Sequence, residues 1–146
     1  RRYSHLTGRA TWHYHALNAE RMHEAAQHLV GVHDFSAYRA VACQSNRPVR
    51  NVHFINIERR GPLIRLDIQA DGFLHHMVRN IVGVLLAIGQ GSAESAWAAE
   101  VLASGNRSAG GITAAPDGLY FVDAQYPDEL PREALGPSWL SAWPVA

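Results

Sequence analysis

The stretch of sequence that decides the fold is residues 73–89, which read FLHHMVRNIVGVLLAIG. Apolar side chains between Met77 and Ile88 lie on nearly every face of the predicted helix, which leaves almost no polar stripe. A helix that is apolar nearly all round has to be largely buried. The sequence therefore predicts a central helix over residues 75–89, around which the rest of the domain packs.

A β-hairpin is expected immediately before this helix. Residues 51–57 are rich in β-branched and aromatic side chains, and a turn with the sequence Arg-Gly-Pro follows at residues 60–62. Residues 63–69 then alternate between apolar and polar side chains, which is the period of a half-buried strand. We expect one buried face and one polar face that is free to bind a partner.

Helices and strands on either side complete the expected domain. The further elements are helices over residues 19–30 and 93–103, strands over 10–15 and 119–124, and a helical turn with a surface loop over 33–49. Asn18 and Ser92 are the expected N-caps of the two helices. This order indicates an α+β fold, with a mainly antiparallel sheet and helices packed on one face. We assign residues 1–127 to one domain and residues 128–146 to an extended or disordered tail.

Composition excludes several classes of protein. The 146 residues are 47% hydrophobic and carry no net charge, so they fit one globular core without a bulk basic surface. The single cysteine, Cys43, excludes an internal disulfide and fits a reducing cytoplasm. No stretch approaches the roughly 18 apolar residues of a membrane span. The chain begins without methionine or a signal peptide, which we interpret as a piece of a longer protein.

The charges are unevenly distributed along the chain. Residues 35–79 carry seven arginines and three acids, a net charge of +4, whereas residues 80–146 carry two arginines and seven acids, a net charge of −5. A positive segment of this kind is suited to phosphate. One region of the domain is therefore expected to face nucleic acid while another faces away.

Motifs for the common catalytic and metal sites are absent from the sequence. There is no glycine-rich phosphate loop, nucleophile elbow or Cys-x-x-Cys pair. His75 and His76 are adjacent, so on a helix their side chains point about 100° apart and do not chelate one ion. His13 and His15 lack a third ligand at a suitable spacing. We expect no metal and no cofactor.

Arg79 is the most informative single residue. It lies on a helix that is otherwise apolar, where a guanidinium costs several kcal/mol unless a carboxylate or phosphate partners it. Two interpretations remain open at this point. Arg79 forms either a structural ion pair with an acid of this chain, such as Asp67 or Asp71, or part of a functional site.

Three blocks of sequence stand in a characteristic order. They are HDFSAYRA at residues 33–40, FLHHMVRNIVG at residues 73–83 and GITAAPDGLYFVDAQYP at residues 111–127, and CQSNRPVRNV at residues 43–52 fits between the first two. In this order they resemble the tRNA pseudouridine synthases of the TruA type. Together they extend over most of the chain. A match of several blocks in order is far more specific than any one motif.

The resemblance implies conversion of uridine to pseudouridine in the anticodon stem-loop of tRNA, without cofactor or metal. The target base is flipped out of the stack into a pocket. The family's catalytic aspartate lies in an Arg-Thr-Asp-x-Gly-Val-His context in an N-terminal domain, and this chain lacks that context. Residues 31–33 repeat only its Gly-Val-His part, and Asp34, which follows, is not assigned as the catalyst. We expect the chain to supply RNA-binding surface and part of the active-site wall, and to be inactive alone.

Individual positions follow from the resemblance. Arg79 matches the arginine that pairs with the catalytic aspartate, and Leu119 matches the apolar wall beneath the flipped uracil. Phe73 and His76, in the same motif as Arg79, are expected in the substrate pocket. The expected RNA-binding residues are Arg39, Arg47, Arg50 and Arg59. The expected partner is tRNA, and the resemblance implies a cytoplasmic protein that is a homodimer at full length and has no membrane contact.

Two other kinds of function stay open from the residues alone. A polar sheet face beside an arginine-rich segment also describes a non-catalytic RNA-binding module, although the aromatic signature strand of the RRM is missing. A dimerisation domain would fit the neutral net charge. An ion pair between Arg79 and an acid of this chain, with no open groove nearby, would favour the dimerisation domain.

Overall fold

The computed structural model describes residues 6–126. The three strands are β1 (Gly31–Asp34), β2 (Val49–Arg60) and β3 (Leu63–Ala70), paired antiparallel in the order β1-β2-β3. The helices are α1 (Ala19–Gln27), α2 (Met77–Gly89) and α3 (Trp97–Ser104), with short 3-10 turns at Ser36–Tyr38 and Arg107–Ala109. The predicted α+β class is confirmed. No helix of the described part has the length and apolar content to cross a membrane.

The hairpin of β2 and β3 forms as predicted. Arg60 pairs with Leu63 across a turn in which Gly61 has a φ of 57°, a left-handed conformation that favours glycine. A β-bulge interrupts the ladder between Val52 and Phe54. The extra residue brings both Val52 and Ile55 to the buried face although they are three positions apart.

Helix α2 forms the centre of the core. The side chains of Met77, Ile81, Leu85 and Ile88 are completely buried and no residue of α2 is fully exposed, which confirms that this helix is largely buried. Helix α1 contacts both β2 and α2. Its N-cap is Asn18, as predicted, whose side chain accepts a hydrogen bond from the backbone N–H of Arg21 at 3.0 Å.

Side chains of α1 also cover the edge of β2. Strand β1 pairs only with Val49–Val52, so the rest of β2 has a strand on one side only. There the backbone N–H of Ile57 donates to Nδ1 of His23 at 3.2 Å, and Nε2 of Gln27 donates to the carbonyl of Ile55 at 3.0 Å. Two backbone groups that a neighbouring strand would satisfy are thus satisfied by a helix.

Several predicted boundaries are wrong. Residues 10–15 and 119–124 form no strand, and Phe121 of the second segment is 77% exposed. A strand propensity needs a pairing partner to become a strand, and no strand of the described part pairs with either segment.

The ends of the helices and one short strand also differ from the predictions. Strand β1 was not expected, because its four residues carry too little pattern. Helix α1 ends at Gln27, and α3 begins at Trp97 without a side-chain cap, so Ser92 lies in the preceding turn instead. The predicted tail, residues 128–146, lies outside the described residues, and the division at residue 127 stays a prediction.

Candidate active site

Residues 73–76, directly before α2, make a tight turn into the helix. Leu74 is buried, its carbonyl accepts from the backbone N–H of Met77 at 2.9 Å, and Phe73 beside it is 44% exposed. His76 adopts a φ of 60°, uncommon for a residue other than glycine. The rings of His75 and His76 stack with centroids 3.9 Å apart. A strained residue at a helix entry next to Arg79 marks this turn as a candidate site.

The environment of His76 disfavours its charged form. Desolvation lowers the pKa of His76 below its usual range, and the neighbouring charges of His75 and Arg79 lower this pKa further. His76 and Arg79 are therefore close enough to interact electrostatically. At neutral pH the His76 imidazole is neutral, and it can donate or accept a hydrogen bond without adding a second cation to the site.

Arg79 is half-buried in the first turn of α2, and its partner is a carbonyl rather than an acid. Its Nε donates to the carbonyl oxygen of Ala114 at 2.8 Å. The two acids considered for a structural ion pair are engaged elsewhere, since Asp67 pairs with Arg65 at 2.9 Å and Asp71 accepts from the backbone N–H of Asn51 at 3.0 Å. Within residues 6–126 no carboxylate lies within ion-pair distance of Arg79.

The third sequence block lies directly against α2. The backbone N–H of Ala114 donates to the carbonyl of Arg79 at 3.1 Å, so the two residues exchange two hydrogen bonds. One turn further along, a Cβ built on Gly83 would lie 1.9 Å from the carbonyl oxygen of Ile112. Only a glycine at position 83 permits this approach. The last residue of one motif is thus explained by its contact with the next motif.

Leu119 follows a turn at the end of this segment. Gly118 has a φ of 83°, the backbone N–H of Leu119 donates to the carbonyl of Pro116 at 3.2 Å, and Thr11 Oγ1 donates to the carbonyl of Asp117 at 2.5 Å. The Leu119 side chain is 51% exposed. The turn therefore presents an apolar side chain to solvent shortly after the segment that holds Arg79.

Asn80 is a buried polar residue that was not predicted from the sequence as part of the site. Apart from Tyr38 with its hydroxyl, it is the only buried residue of the described part with a polar side chain. Its Nδ2 donates to the carbonyl of Tyr38 at 2.7 Å, and its Oδ1 accepts from Thr113 Oγ1 at 2.7 Å and from Arg107 at 3.0 Å. Asn80 thus joins all three sequence blocks. The available signal was an amide next to Arg79 in an otherwise apolar helix.

Three of the four predicted RNA-binding arginines lie within residues 39–50, a loop together with the first two residues of β2. Arg39 donates to the carbonyl of Ser45 at 3.2 Å, Arg50 donates to Oγ of Ser45 at 3.1 Å and to the carbonyl of Arg47 at 2.8 Å, and Arg47 is exposed. The backbone N–H of Ala40 donates to the carbonyl of His75 at 2.9 Å. The arginine loop, residues 39–50, is therefore tied to the turn that leads into α2.

Arg59 lies apart from that loop. It is near the other end of β2, roughly 30 Å along the strand from Val49 at the usual rise per residue. Its guanidinium donates to the carbonyl of Leu17, ahead of α1. The structure thus brings together Arg79, His76 and the arginine loop, and it places Arg59 on another part of the surface.

Metal ligands do not cluster in the described residues. No group of three or more histidine, cysteine, aspartate or glutamate side chains is arranged to hold an ion there. Cys43 is a free, half-buried thiol. Backbone hydrogen bonds from Ser45 and His75 lower the pKa of this thiol, as do the charges of Arg39 and Arg50 to a smaller degree.

Comparison with known proteins identifies the family of this chain. Residues 25–127 match a family model described as tRNA pseudouridine synthase. Curated relatives named tRNA pseudouridine synthase A include proteins from Pseudomonas aeruginosa, 51% identical over 97% of this chain, Aeromonas hydrophila, 54% identical over 92%, and Nitrosococcus oceani, 55% identical over 85%. The matches cover 50%, 51% and 49% of those relatives, so the chain spans about half their length. The chain belongs to the tRNA pseudouridine synthase family.

Proposed function

We propose that this chain is the C-terminal part of an enzyme that isomerises uridine to pseudouridine in the anticodon stem-loop of tRNA. The chain supplies RNA-binding surface and one wall of the active site. The complete protein is a cytoplasmic homodimer, and its catalytic aspartate comes from a part of the polypeptide outside this sequence. The reaction breaks the glycosidic bond of a flipped uridine and rejoins the uracil through C5.

The observation that supports this proposal is that the half-buried Arg79 has no anionic partner among the described residues. A half-buried guanidinium is costly unless an anion compensates it, and within residues 6–126 its hydrogen bond is to a backbone carbonyl. Within the same residues the terminal nitrogens of Arg79 make no hydrogen bond, and we assign them to an anion from elsewhere. A carboxylate received there is held ionised and oriented, which is what a catalytic aspartate at this reaction centre requires.

Leu119, Phe73 and His76 form the proposed pocket wall around that centre. Leu119 and Phe73 offer exposed apolar surface for a flat base. His76, kept neutral by its lowered pKa, can contact the base without competing with Arg79 for the carboxylate. Uracil has a flat ring with polar edges, and a wall of this composition suits both.

Phosphate contacts are assigned to Arg39, Arg47, Arg50 and Arg59. The arginine loop is tied to His75, so tRNA phosphates held by the loop lie next to the proposed pocket. Arg59 serves a more distant part of the same RNA. A folded stem-loop with its flanking stem is long enough to touch both surfaces.

The test is Arg79→Lys in the complete enzyme, with Arg21→Lys as the matched control. Lysine keeps the charge and loses the planar fork, so we expect single-turnover pseudouridine formation to fall by roughly 10²- to 10³-fold with tRNA affinity unchanged. Arg21 is an α1 surface residue that pairs with Glu94. The reaction is followed by release of tritium from tRNA labelled at C5 of uridine. Wild-type turnover in Arg79→Lys would remove Arg79 from the site.

The 146-residue chain alone should make no pseudouridine. Without the aspartate, Arg79 offers orientation and charge but no group that acts on the uridine. Unmodified tRNA incubated with the chain is compared with a sample without enzyme. Product above that background would mean that the catalyst is an aspartate of this chain, with Asp34, Asp67, Asp71 and Asp117 as the candidates, and would refute the two-part active site.

A further inference from the structure

A triangle of polar side chains lies beside Arg79. Thr113 Oγ1 donates to Asn80 Oδ1 at 2.7 Å, and one terminal nitrogen of Arg107 donates to both, at 3.0 Å to Asn80 and 2.9 Å to Thr113. Asn80 is 2% exposed, and its amide nitrogen is bonded to the carbonyl of Tyr38. All three bonds of the triangle are shielded from solvent at least in part, where leaving a polar group without a hydrogen bond costs free energy.

The triangle is adjacent in sequence to the two residues that hold the guanidinium. Asn80 follows Arg79, and Thr113 precedes Ala114. Arg79 and Ala114 exchange two hydrogen bonds, so the first turn of α2 and residues 113–114 are joined by three bonds in a row. This row of bonds includes the Ala114 carbonyl, which is the acceptor of Arg79 Nε.

Packing alone does not give this direction. The close contact between Gly83 and Ile112 brings the segment against the helix. Contact of that kind fixes distance, whereas a guanidinium fork must be oriented to within about 10–20° to meet a carboxylate with both nitrogens. Directional hydrogen bonds from a hydroxyl and an amide supply what apolar packing lacks.

We propose that Thr113, with Asn80 and Arg107, is a positioning residue that aims the Arg79 guanidinium at the catalytic carboxylate. Thr113 holds Ala114, Ala114 holds Nε of Arg79, and the remaining nitrogens of Arg79 point in one direction. The catalytic consequence rests on the proposed function. The geometric part, that Thr113 determines the hydrogen bond of Arg79, is independent of it.

The kinetic test compares Thr113→Val and Thr113→Ser in the complete enzyme. Valine removes the hydroxyl at nearly constant shape, and we expect the single-turnover rate to fall roughly 10- to 100-fold, while tRNA affinity stays the same. Serine restores the donor and should return the rate to near that of the wild type. Thr7→Val, the same change at an exposed threonine, is the control and should leave the rate unaltered.

A double-mutant cycle separates positioning from a general loss of structure. If Thr113 acts through Arg79, adding Thr113→Val to Arg79→Lys should slow the reaction by less than about twofold. An equal slowing in both backgrounds would overturn the proposal, as would a Thr113→Val enzyme as fast as the wild type.

A spectroscopic measurement decides the geometric part without activity. The ¹⁵N-labelled Nε–H of Arg79, assigned by its absence in Arg79→Lys, should lose protection from exchange in Thr113→Val and keep it in Thr113→Ser. An unchanged signal in Thr113→Val would overturn the proposal. Should the wild type make no pseudouridine, the proposed function fails, and this signal still shows whether Thr113 positions Arg79.

Discussion

Replacing Gly83 by alanine tests the contact on which the site depends. The new Cβ would lie 1.9 Å from the carbonyl oxygen and 3.0 Å from the carbonyl carbon of Ile112. These are backbone atoms, so no side-chain rotation relieves the overlap. The segment that contains Ile112 has to move about 1.1 Å away from α2 before the closest contact reaches 3.0 Å.

The cost of Gly83→Ala can be worked out from the contacts that this movement breaks. Overpacking of a well-packed site costs about 1–3 kcal/mol. The two hydrogen bonds between Arg79 and Ala114 contribute about 1 kcal/mol each and would be lost. Alanine regains about 1 kcal/mol of helix propensity over glycine. We expect a net loss of about 2–4 kcal/mol in the free energy of unfolding.

Gly89→Ala provides the matched control in the same helix. Its Cβ would lie 2.6 Å from the sulfur and 2.7 Å from Cγ of Met22, which are side-chain atoms and not backbone atoms. The Met22 side chain can repack without moving the backbone, and alanine regains about 1 kcal/mol of helix propensity, so this substitution should cost about 0–2 kcal/mol, less than Gly83→Ala. Urea denaturation followed by circular dichroism measures both variants. Equal stability of Gly83→Ala and Gly89→Ala would show that residues 111–114 are not held against α2, and would refute the reasoning.

Three further predictions concern other parts of the molecule. Tyr38→Phe should lose about 1 kcal/mol of stability in denaturant, because the buried Tyr38 hydroxyl donates to the carbonyl of Ala98 at 2.9 Å and phenylalanine cannot make this hydrogen bond; the exposed Tyr14→Phe should lose nothing measurable. Hydrogen bonds from Ser36 hold the pKa of the Asp34 carboxyl below its usual range. The carboxylate therefore contributes its full stabilisation above about pH 4, and this contribution is lost as the pH falls through the lower folded-state pKa. Asp34→Asn should flatten the pH dependence of the free energy of unfolding in that acid range, and an unchanged profile would contradict this. Each alanine replacement among Arg39, Arg47, Arg50 and Arg59 should reduce the slope of log affinity against log salt by about one unit in titrations of the complete enzyme with tRNA; an unchanged slope with all four replaced would place the tRNA surface elsewhere.

The parts of the fold with strong periodicity could be predicted from the sequence. The alternation in residues 63–69 and the apolar surface of α2 each indicate one kind of element whatever surrounds them. Strand β1 could not be found in this way, because a strand of four residues exists only through its pairing with β2. The apolar residues 119–124 show the reverse case. Their strand propensity is high, but no ladder in the described residues includes them.

Some residues of the candidate site could likewise be predicted from the sequence, and others could not. Arg79 could be identified because burying a charge on an apolar helix costs free energy whatever the fold, and the apolar pattern around Arg79 is present in the sequence alone. Asn80, Thr113 and Arg107 could not be identified as a group, since their contacts join residues that are far apart in the chain. The two glycines at positions 83 and 111 face each other, and their role likewise emerged only when the helix and the third block were seen in contact.

Helix α1 covers the edge of β2, and this contact protects the protein from aggregation at that edge. An open strand edge is a template on which a strand of another molecule can grow into a cross-β assembly. His23 and Gln27 occupy the backbone groups of Ile57 and Ile55 that such a strand would need. An incoming strand on that side must therefore first detach α1, whose buried face, including Met22, Ala25 and Ala26, is part of the core. The barrier to assembly at this edge is then of the same order as the free energy of opening the domain itself.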